Sequence, residues 1–314
     1  MPKRDIIVMG ASAGGTEACC GILEGLPSDL PASVLIVQHV GRTSLLAEVL
    51  RRCCALKVNA ASDGEAVRPG RAYVAPGDHH LLLEDGKVRL SRGPRENRQR
   101  PSVDALFRSA ARAHRSQVIA VVLSGALDDG ATGVLAVKLR GGVVIIQDPQ
   151  TARFSSMPEN ALRAVRPDYC VPPDQIAPLL VKLTRQEITM PKNKKTRAAT
   201  NHPRRRRPSS AAASFVCPEC GGPLFPDKQG TPGQLTCLVG HSFAPESLSE
   251  AHREALERAV LTTMRLLQER VAIHSHLASV EFHGHNQPLK ERFMESAEAT
   301  AKNVALLREI LERI

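Results

Sequence analysis

Three short segments of this chain each set a reactive side chain just past a run of apolar residues. Ile6-Ile7-Val8-Met9 runs into Gly10-Ala-Ser12-Ala-Gly14-Gly15, Ala32–Gln38 runs into His39, and Val118–Leu123 runs into Ser124-Gly-Ala-Leu-Asp128-Asp129-Gly130. A serine hydroxyl at neutral pH is a weak nucleophile that needs an imidazole to take its proton and a carboxylate to orient that imidazole. In an open α/β sheet the carboxyl ends of the strands share one rim, so groups far apart in sequence can meet there. Gly10-x-Ser12-x-Gly14 also matches the sharp strand-to-helix turn that exposes a nucleophilic serine. Each segment alone has a plainer reading. The glycine loop could cradle a phosphate or Ser12 could cap a helix, His39 could close a strand, and the aspartates could serve as turn and cap residues. Serine, histidine and aspartate on three successive strand ends favour the hydrolytic set.

A second cluster lies far downstream. Cys217-Pro-Glu-Cys220 is followed, sixteen residues on, by Cys237-Leu-Val-Gly-His241. Three thiols and an imidazole at this spacing are the ligand set of a zinc ribbon, with Gly221, Gly222 and Gly240 supplying the tight knuckle turns. A redox Cys-x-x-Cys pair would need neither Cys237 nor His241. Four protein ligands leave no open position, so the zinc expected here is structural, and catalysis is expected to need no cofactor. Cys19, Cys20, Cys53, Cys54 and Cys170 read as reduced thiols filling small core positions.

The elements that must carry these groups follow from composition. Tryptophan is absent and aromatic residues make up 3% of the 314 residues, so the core must be aliphatic, as in a parallel sheet covered by helices. The expected fold is α/β, a doubly wound and mainly parallel sheet, followed by a small zinc ribbon and an α-helical hairpin. The expected boundaries are residues 1–186 for the sheet domain, 187–213 for a linker, 214–245 for the ribbon-like module and 246–314 for the hairpin. The formal charge is +10, and most of it sits in the linker, where Lys192, Lys194, Lys195, Arg197 and Arg204 to Arg207 face only Glu187. Such a stretch reads as a solvated, self-repelling spacer; nucleic acid is not an expected partner. Leu248, Ala251, Ala255, Leu256, Ala259, Val260, Leu266, Leu267, Val271 and Leu277 recur at helical spacing, and His283–Pro288 interrupts the pattern before it resumes. The stripe could pack on its own partner helix, on a second copy or on a receptor. His274, His276, His283 and His285 read as surface residues. With no apolar run of eighteen residues and Lys3-Arg4-Asp5 ahead of the first strand, no transmembrane segment or signal peptide is expected, and the location expected is cytoplasmic.

From about residue 5 to residue 184 the sequence resembles the catalytic domain of the chemotaxis protein-glutamate methylesterases, the CheB family. Gly10–Ala18 is similar to that family's serine loop, Val37-Gln-His-Val40 to its histidine segment and Leu123–Gly133 to its aspartate loop. Asp63-Gly-Glu65, Tyr73–His79, Asn97–Phe107 and Phe154–Ala161 match in order between and beyond them. The resemblance implies a hydrolase in which Ser12 attacks the methyl ester of a glutamate on a chemoreceptor's cytoplasmic helices, His39 shuttles the proton and Asp129, directly before Gly130, holds the imidazole. It implies an oxyanion donor at the Ala13 N–H and a second near Ala126. There the sequence departs from the family, which commonly carries Met-Gly where this chain has Ala126-Leu127, and leucine lacks glycine's conformational freedom. Thr16 reads either as support for the histidine or as a first-turn helix residue, and Arg98 and Arg100 either as contacts to an acidic receptor helix or as part of a solvated basic loop; His79 and His80, after Pro-Gly-Asp, read as loop residues and Met157-Pro158 as packing beneath the site. Glutamine deamidation by the same site stays open. The usual family member carries an N-terminal receiver domain, whereas this sequence begins on the catalytic strand, so control is expected from another protein or from the C-terminal part. That part is expected to recruit substrate or a partner, or to self-associate through its helices, and not to block Ser12. The rival reading is a non-catalytic binding or scaffold protein that uses ribbon and linker to hold protein or nucleic acid.

Overall fold

The computed structural model describes residues 3–39, 41, 44–188, 215–226, 233–279 and 287–313. The strongly basic stretch from Lys192 to Arg207, and the His283–Asn286 interruption, lie outside the described residues.

β1 (Ile6–Ala11) leads into α1 (Gly15–Glu24), β2 (Ser33–Gln38), α2 (Leu46–Arg52), β3 (Lys57–Ala60) and β4 (Arg71–Val74). An antiparallel hairpin, β5 (His80–Glu84) and β6 (Lys87–Ser91), then separates this half from α3 (Val103–His114) and β7 (Val118–Val122). α4 (Ala131–Leu139), β8 (Val143–Gln147), α5 (Ser156–Ala164), β9 (Tyr169–Val171) and α6 (Pro173–Arg185) complete the domain. The seven-stranded sheet runs β3-β4-β2-β1-β7-β8-β9, and all its pairings are parallel.

The order follows from burial. β1 is buried along its whole length, with Ile7, Met9 and Ala11 facing one core and Ile6 and Val8 the other, the two-residue alternation of a strand covered on both faces. One core is filled by Cys19, Ile22, Leu23, Leu50, Ile176 and Leu180 from α1, α2 and α6. The other holds Phe107, Leu106 and Ala110 of α3 with Val134 and Val137 of α4 and Ala161 of α5. Each such aliphatic side chain removed from water contributes about 1.5–3 kcal/mol, which lets a core this poor in aromatics hold. One close approach matters for the site. A Cβ on Gly10 would lie 2.2 Å from Val103 Cγ1, so only glycine admits the first turn of α3 against β1.

Beyond the sheet, β10 (Leu224–Pro226), β11 (Leu235–Cys237) and β12 (Ser242–Phe243) form a small antiparallel sheet, and α7 (Pro245–Ser279) and α8 (Gln287–Leu311) follow. Contacts divide the chain into two compact units, Met1–Leu248 and Ser249–Ile314. The ribbon therefore packs with the large domain. In the second unit Val260, Met264 and Leu267 of α7 meet Val304, Leu307 and Leu311 of α8, while His274 contacts Phe293, so the two helices run antiparallel. Part of the expected apolar stripe faces outward, since Leu256 and Leu266 are more than half exposed, as is Ile273 beside it. Among the described residues no helix is long and apolar enough to cross a membrane.

The cysteine expectation is corrected in part. Cys20 on α1 and Cys53 at the end of α2 form a disulfide, because the two helices lie side by side with their Cα atoms 5.3 Å apart. Cys19, one position earlier, points into the core and remains a free, buried thiol, as expected, whereas Cys170, expected in a core position, is exposed.

Candidate active site and Cys3His cluster

β1 sits between β2 and β7 in the sheet, so the loops after these three strands emerge side by side on one rim. Ser12 follows β1 directly, His39 follows β2 and Asp129 closes the loop after β7. His39 Nδ1 lies 3.1 Å from Ser12 Oγ and His39 Nε2 lies 2.7 Å from Asp129 Oδ2. With Nε2–H donating to Asp129, the Nδ1 lone pair faces the serine hydroxyl and can accept its proton. The three residues brought together are those singled out in the sequence.

The carboxylate is held by far more than the histidine. Asp129 Oδ2 also accepts from Val103 N at 2.7 Å, and Oδ1 accepts from Asn97 Nδ2 at 2.9 Å, Ser102 Oγ at 2.9 Å and Asp104 N at 3.0 Å. Ser102 caps α3, so the acid occupies the N-terminus of that helix, where free N–H groups and the dipole favour negative charge. Burial alone would raise the pKa of Asp129, but the bonds and charge of His39, with those from Asn97 and the α3 backbone, hold it well below the usual carboxylate range. Its neighbour Asp104 is pushed the other way, by burial and then by the charge of Asp129. Asp104 accepts from Asn97 Nδ2 at 2.8 Å and from Gly133 N at 2.6 Å. Asn97 and Ser102 are the participants that sequence reasoning missed. The available signal was the Pro-Ser-x-Asp helix start at Pro101–Asp104; nothing local pointed to Asn97.

The serine loop is fixed by the strand-end segment beside it. Ser12 N donates to Ser124 O at 3.0 Å, and Ser124 Oγ donates to Ala13 O at 2.9 Å and accepts from Phe154 N at 3.0 Å. The Ala13 N–H makes no hydrogen bond among the described residues, leaving it for a ligand at the start of α1. Beneath the loop, a Cβ on Gly125 would lie 2.8 Å from Ser12 Cβ and 2.1 Å from Met157 Sδ. Met157 is buried, in the packing position expected for it.

Other expected residues take different places. Leu127 adopts φ +63°, a left-handed conformation that glycine takes far more readily than leucine. Its carbonyl is anchored by Ser156 Oγ at 3.2 Å and Asn160 Nδ2 at 3.1 Å, and this pair outweighs a steric cost of about 1–2 kcal/mol. Ala126 beside it is exposed. The Thr16 hydroxyl accepts from Gln38 Nε2 at 2.8 Å, so it braces the residue before His39 and not the ring. The Arg100 guanidinium is bonded to Asp78 at 2.7 and 3.1 Å and to the carbonyls of Arg92 and Gly93. Arg98 also has a partner within the molecule. His80 is corrected from loop to strand, opening β5 with Nε2 on Pro94 O at 2.9 Å. Asp128 points away from His39 and binds the first turn of α7, accepting from Glu246 N at 2.9 Å, Ser247 N at 3.2 Å and the Ser247 hydroxyl.

Cys217, Cys220, Cys237 and His241 converge in the ribbon, their ligand atoms all within 4.8 Å of one another. Cys220 Sγ–Cys237 Sγ is 3.6 Å, Cys237 Sγ–His241 Nδ1 3.6 Å and Cys217 Sγ–His241 Nδ1 3.7 Å. Metal–sulfur and metal–nitrogen bonds of about 2.3 and 2.0 Å in a tetrahedron put ligand atoms roughly 3.4–3.8 Å apart, so these residues fit zinc. Gly221 at φ +72° and Gly240 at φ +107° make the two knuckle turns, where side chains other than glycine are strained.

The sequence and the fold are similar to those of known proteins. The family model described as CheB methylesterase matches residues 7–180. A protein-glutamate methylesterase/protein-glutamine glutaminase of Chromohalobacter salexigens is 45% identical over 170 residues, covering 52% of this chain and 48% of the relative. One of Anaeromyxobacter dehalogenans is 43% identical over 186 residues, covering 57% and 51%. This chain thus spans about half the length of those two relatives, whereas a chain from Leptospira interrogans, 38% identical over 187 residues, is covered over 97% of its length. The crystal structure of the Thermotoga maritima CheB methylesterase catalytic domain superposes with a TM-score of 0.55 at 38% identity, covering 58% of this chain and all of that one.

Proposed function

The chain belongs to the CheB methylesterase family, and we propose that it removes methyl groups from glutamate esters on the cytoplasmic helices of a chemoreceptor, using Ser12, His39 and Asp129. The hydrogen-bonded line of Ser12, His39 and Asp129 across three adjacent strand ends supports this reading. Ser12 Oγ attacks the ester carbonyl as its proton passes to His39 Nδ1. Asp129, acidic and tightly held, steadies the resulting imidazolium. The oxyanion accepts from the Ala13 N–H, which lies two residues before α1 and costs no reorganisation at the moment of reaction. His39 then protonates the departing methoxide, methanol leaves, and a water activated by the same ring releases the glutamate from Ser12. The same acyl chemistry with ammonia as leaving group would convert glutamine to glutamate.

No step requires a metal. Cys217, Cys220, Cys237 and His241 would hold one structural zinc, which ties β11 to the segment around Cys217. The outward apolar residues of α7 and α8 offer a surface for a partner or a second copy, and the protein is assigned to the cytoplasm with its substrate.

The decisive experiment is methanol release from methylated chemoreceptor signalling domain. Wild type should turn over and Ser12→Ala should lose at least about 10³-fold. Equal release by both proteins would refute the assignment of Ser12.

A further inference from the structure

The Cys3His module is bonded directly to the loops that hold the acid of the active site. Asn97 lies at the junction, buried to 1% exposure and in the left-handed region at φ +50°, which asparagine tolerates better than other non-glycine residues. Its backbone N–H donates to Ser242 O at 2.7 Å, and its side-chain Oδ1 accepts from Ala244 N at 2.7 Å. On the opposite side its Nδ2 donates to Asp129 Oδ1 at 2.9 Å and Asp104 Oδ2 at 2.8 Å.

An asparagine amide can rotate by a half-turn about its last bond at little intrinsic cost. Rotated, it would set its oxygen against two carboxylates and its NH2 against the Ala244 N–H. The module's N–H can donate only to the oxygen, and so it locks the NH2 towards Asp129. Ser242 and Ala244 are one and three residues past His241, and the Cys237 N–H bonds His241 O at 3.0 Å. Ligation of His241 and Cys237 therefore fixes the strand that reads Asn97.

Two further ties reach the acid loop. Asp128 binds the first turn of α7, and Asn160 bridges Glu246 to the Leu127 carbonyl. Residues 127–129 are thus gripped from the module's side while Asp129 faces His39.

We propose that Asn97 is a positioning residue for Asp129 whose orientation is set by the Cys3His module, so that metal loading of that module sustains turnover at a site it does not touch. This rests on the esterase and zinc readings above. A module serving only as an attached structural knob would have no reason to spend its backbone groups on the amide that holds the catalytic acid.

The test uses the full-length zinc-loaded chain, p-nitrophenyl acetate as a small ester that needs no receptor docking, and 1,10-phenanthroline to remove the metal. Asn97→Gly removes the side chain without straining a left-handed backbone. Both Asn97→Gly and metal removal from wild type should lower kcat about 10²-fold with KM unchanged, the scale expected when a reacting group is misplaced by about 1 Å. Combined, they should cost no more than either alone, because they break one chain of contacts. Zinc restored to wild type should recover kcat, and zinc restored to Asn97→Gly should not. Amide hydrogen exchange at Ser242, Ala244, Glu246 and Ser247 should rise on chelation, a readout independent of turnover. If Asn97→Gly proves insoluble, metal removal from wild type still decides. Loss of amide protection with kcat within twofold of the loaded enzyme overturns the proposal, as do losses that multiply. Undiminished hydrolysis by Ser12→Ala would instead sink the esterase reading and leave the exchange result standing by itself.

Discussion

Gly125→Ala tests whether the floor beneath Ser12 is as tight as the structure requires. The new methyl group would start 2.8 Å from Ser12 Cβ and 2.1 Å from Met157 Sδ. Ordinary carbon–carbon contact needs about 3.5–4.0 Å, so Ser12, residue 125 or both must move by roughly 0.7–1.2 Å. Met157 cannot give way outward, since it is buried to 1% exposure. Overpacking of this kind costs about 1–3 kcal/mol of stability. The larger effect falls on the chemistry, because Ser12 Oγ already lies 3.1 Å from His39 Nδ1 and a displacement near 1 Å breaks that bond. The expected result is a fall in kcat of about 10²-fold for p-nitrophenyl acetate with KM unchanged, alongside a lower unfolding temperature. Met157→Ala in the same chain opens space on the sulfur side and should restore at least tenfold of the lost rate. A Gly125→Ala variant with kcat within twofold of wild type, or a double variant no faster than the single, would refute the packing argument.

Asp129→Asn should cost about 10³–10⁴-fold in ester hydrolysis, because an amide cannot hold the imidazole in the required tautomer, whereas Asp128→Asn should cost less than tenfold. The folded-state pKa of Asp129 is depressed, so its charge contributes stability that is present above pH ~4, its unfolded range, and is lost as pH falls through the folded value. Denaturant titrations of wild type and Asp129→Asn should therefore differ by a constant amount above pH ~5 and converge in stronger acid; a difference that grows on acidification would contradict the sign. Leu127→Gly removes a left-handed strain and adds unfolded-state entropy, so calorimetry should show a gain of at most about 1 kcal/mol, and a clear loss would mean the leucine side chain packs more than its backbone costs. Elemental analysis should find one zinc per chain, reduced to none by Cys217→Ser with Cys220→Ser; zinc retained in that variant would move the site elsewhere.

The fold was legible because its signals are local. A strand buried on both faces needs an unbroken aliphatic run, and Ile6–Met9, Val34–Val37 and Val118–Leu123 carry one whatever lies around them. The glycine turn around Ser12 and the knuckles around Cys217 and Cys237 are equally local, since each depends on conformations available within a few residues. What the sequence could not disclose depends on which surfaces meet. Asp128 and Asp129 are neighbours of one type, yet one faces His39 and the other caps α7, and only the path of the loop between β7 and α4 separates them. Asn97 sits among arginines in a stretch that reads as a solvated basic loop, and Arg100 in that loop is tied to Asp78. The role of Asn97 arises because α3, the loop after β7 and the ribbon converge on one buried point. Leu127 shows the same division. Its residue type argues against φ +63°, and bonds from Ser156 and Asn160, roughly thirty positions away, hold it there. Chain-local preferences amount to tenths of a kcal/mol up to about 1–2 kcal/mol per residue, and buried hydrogen bonds between distant segments are large enough to override them.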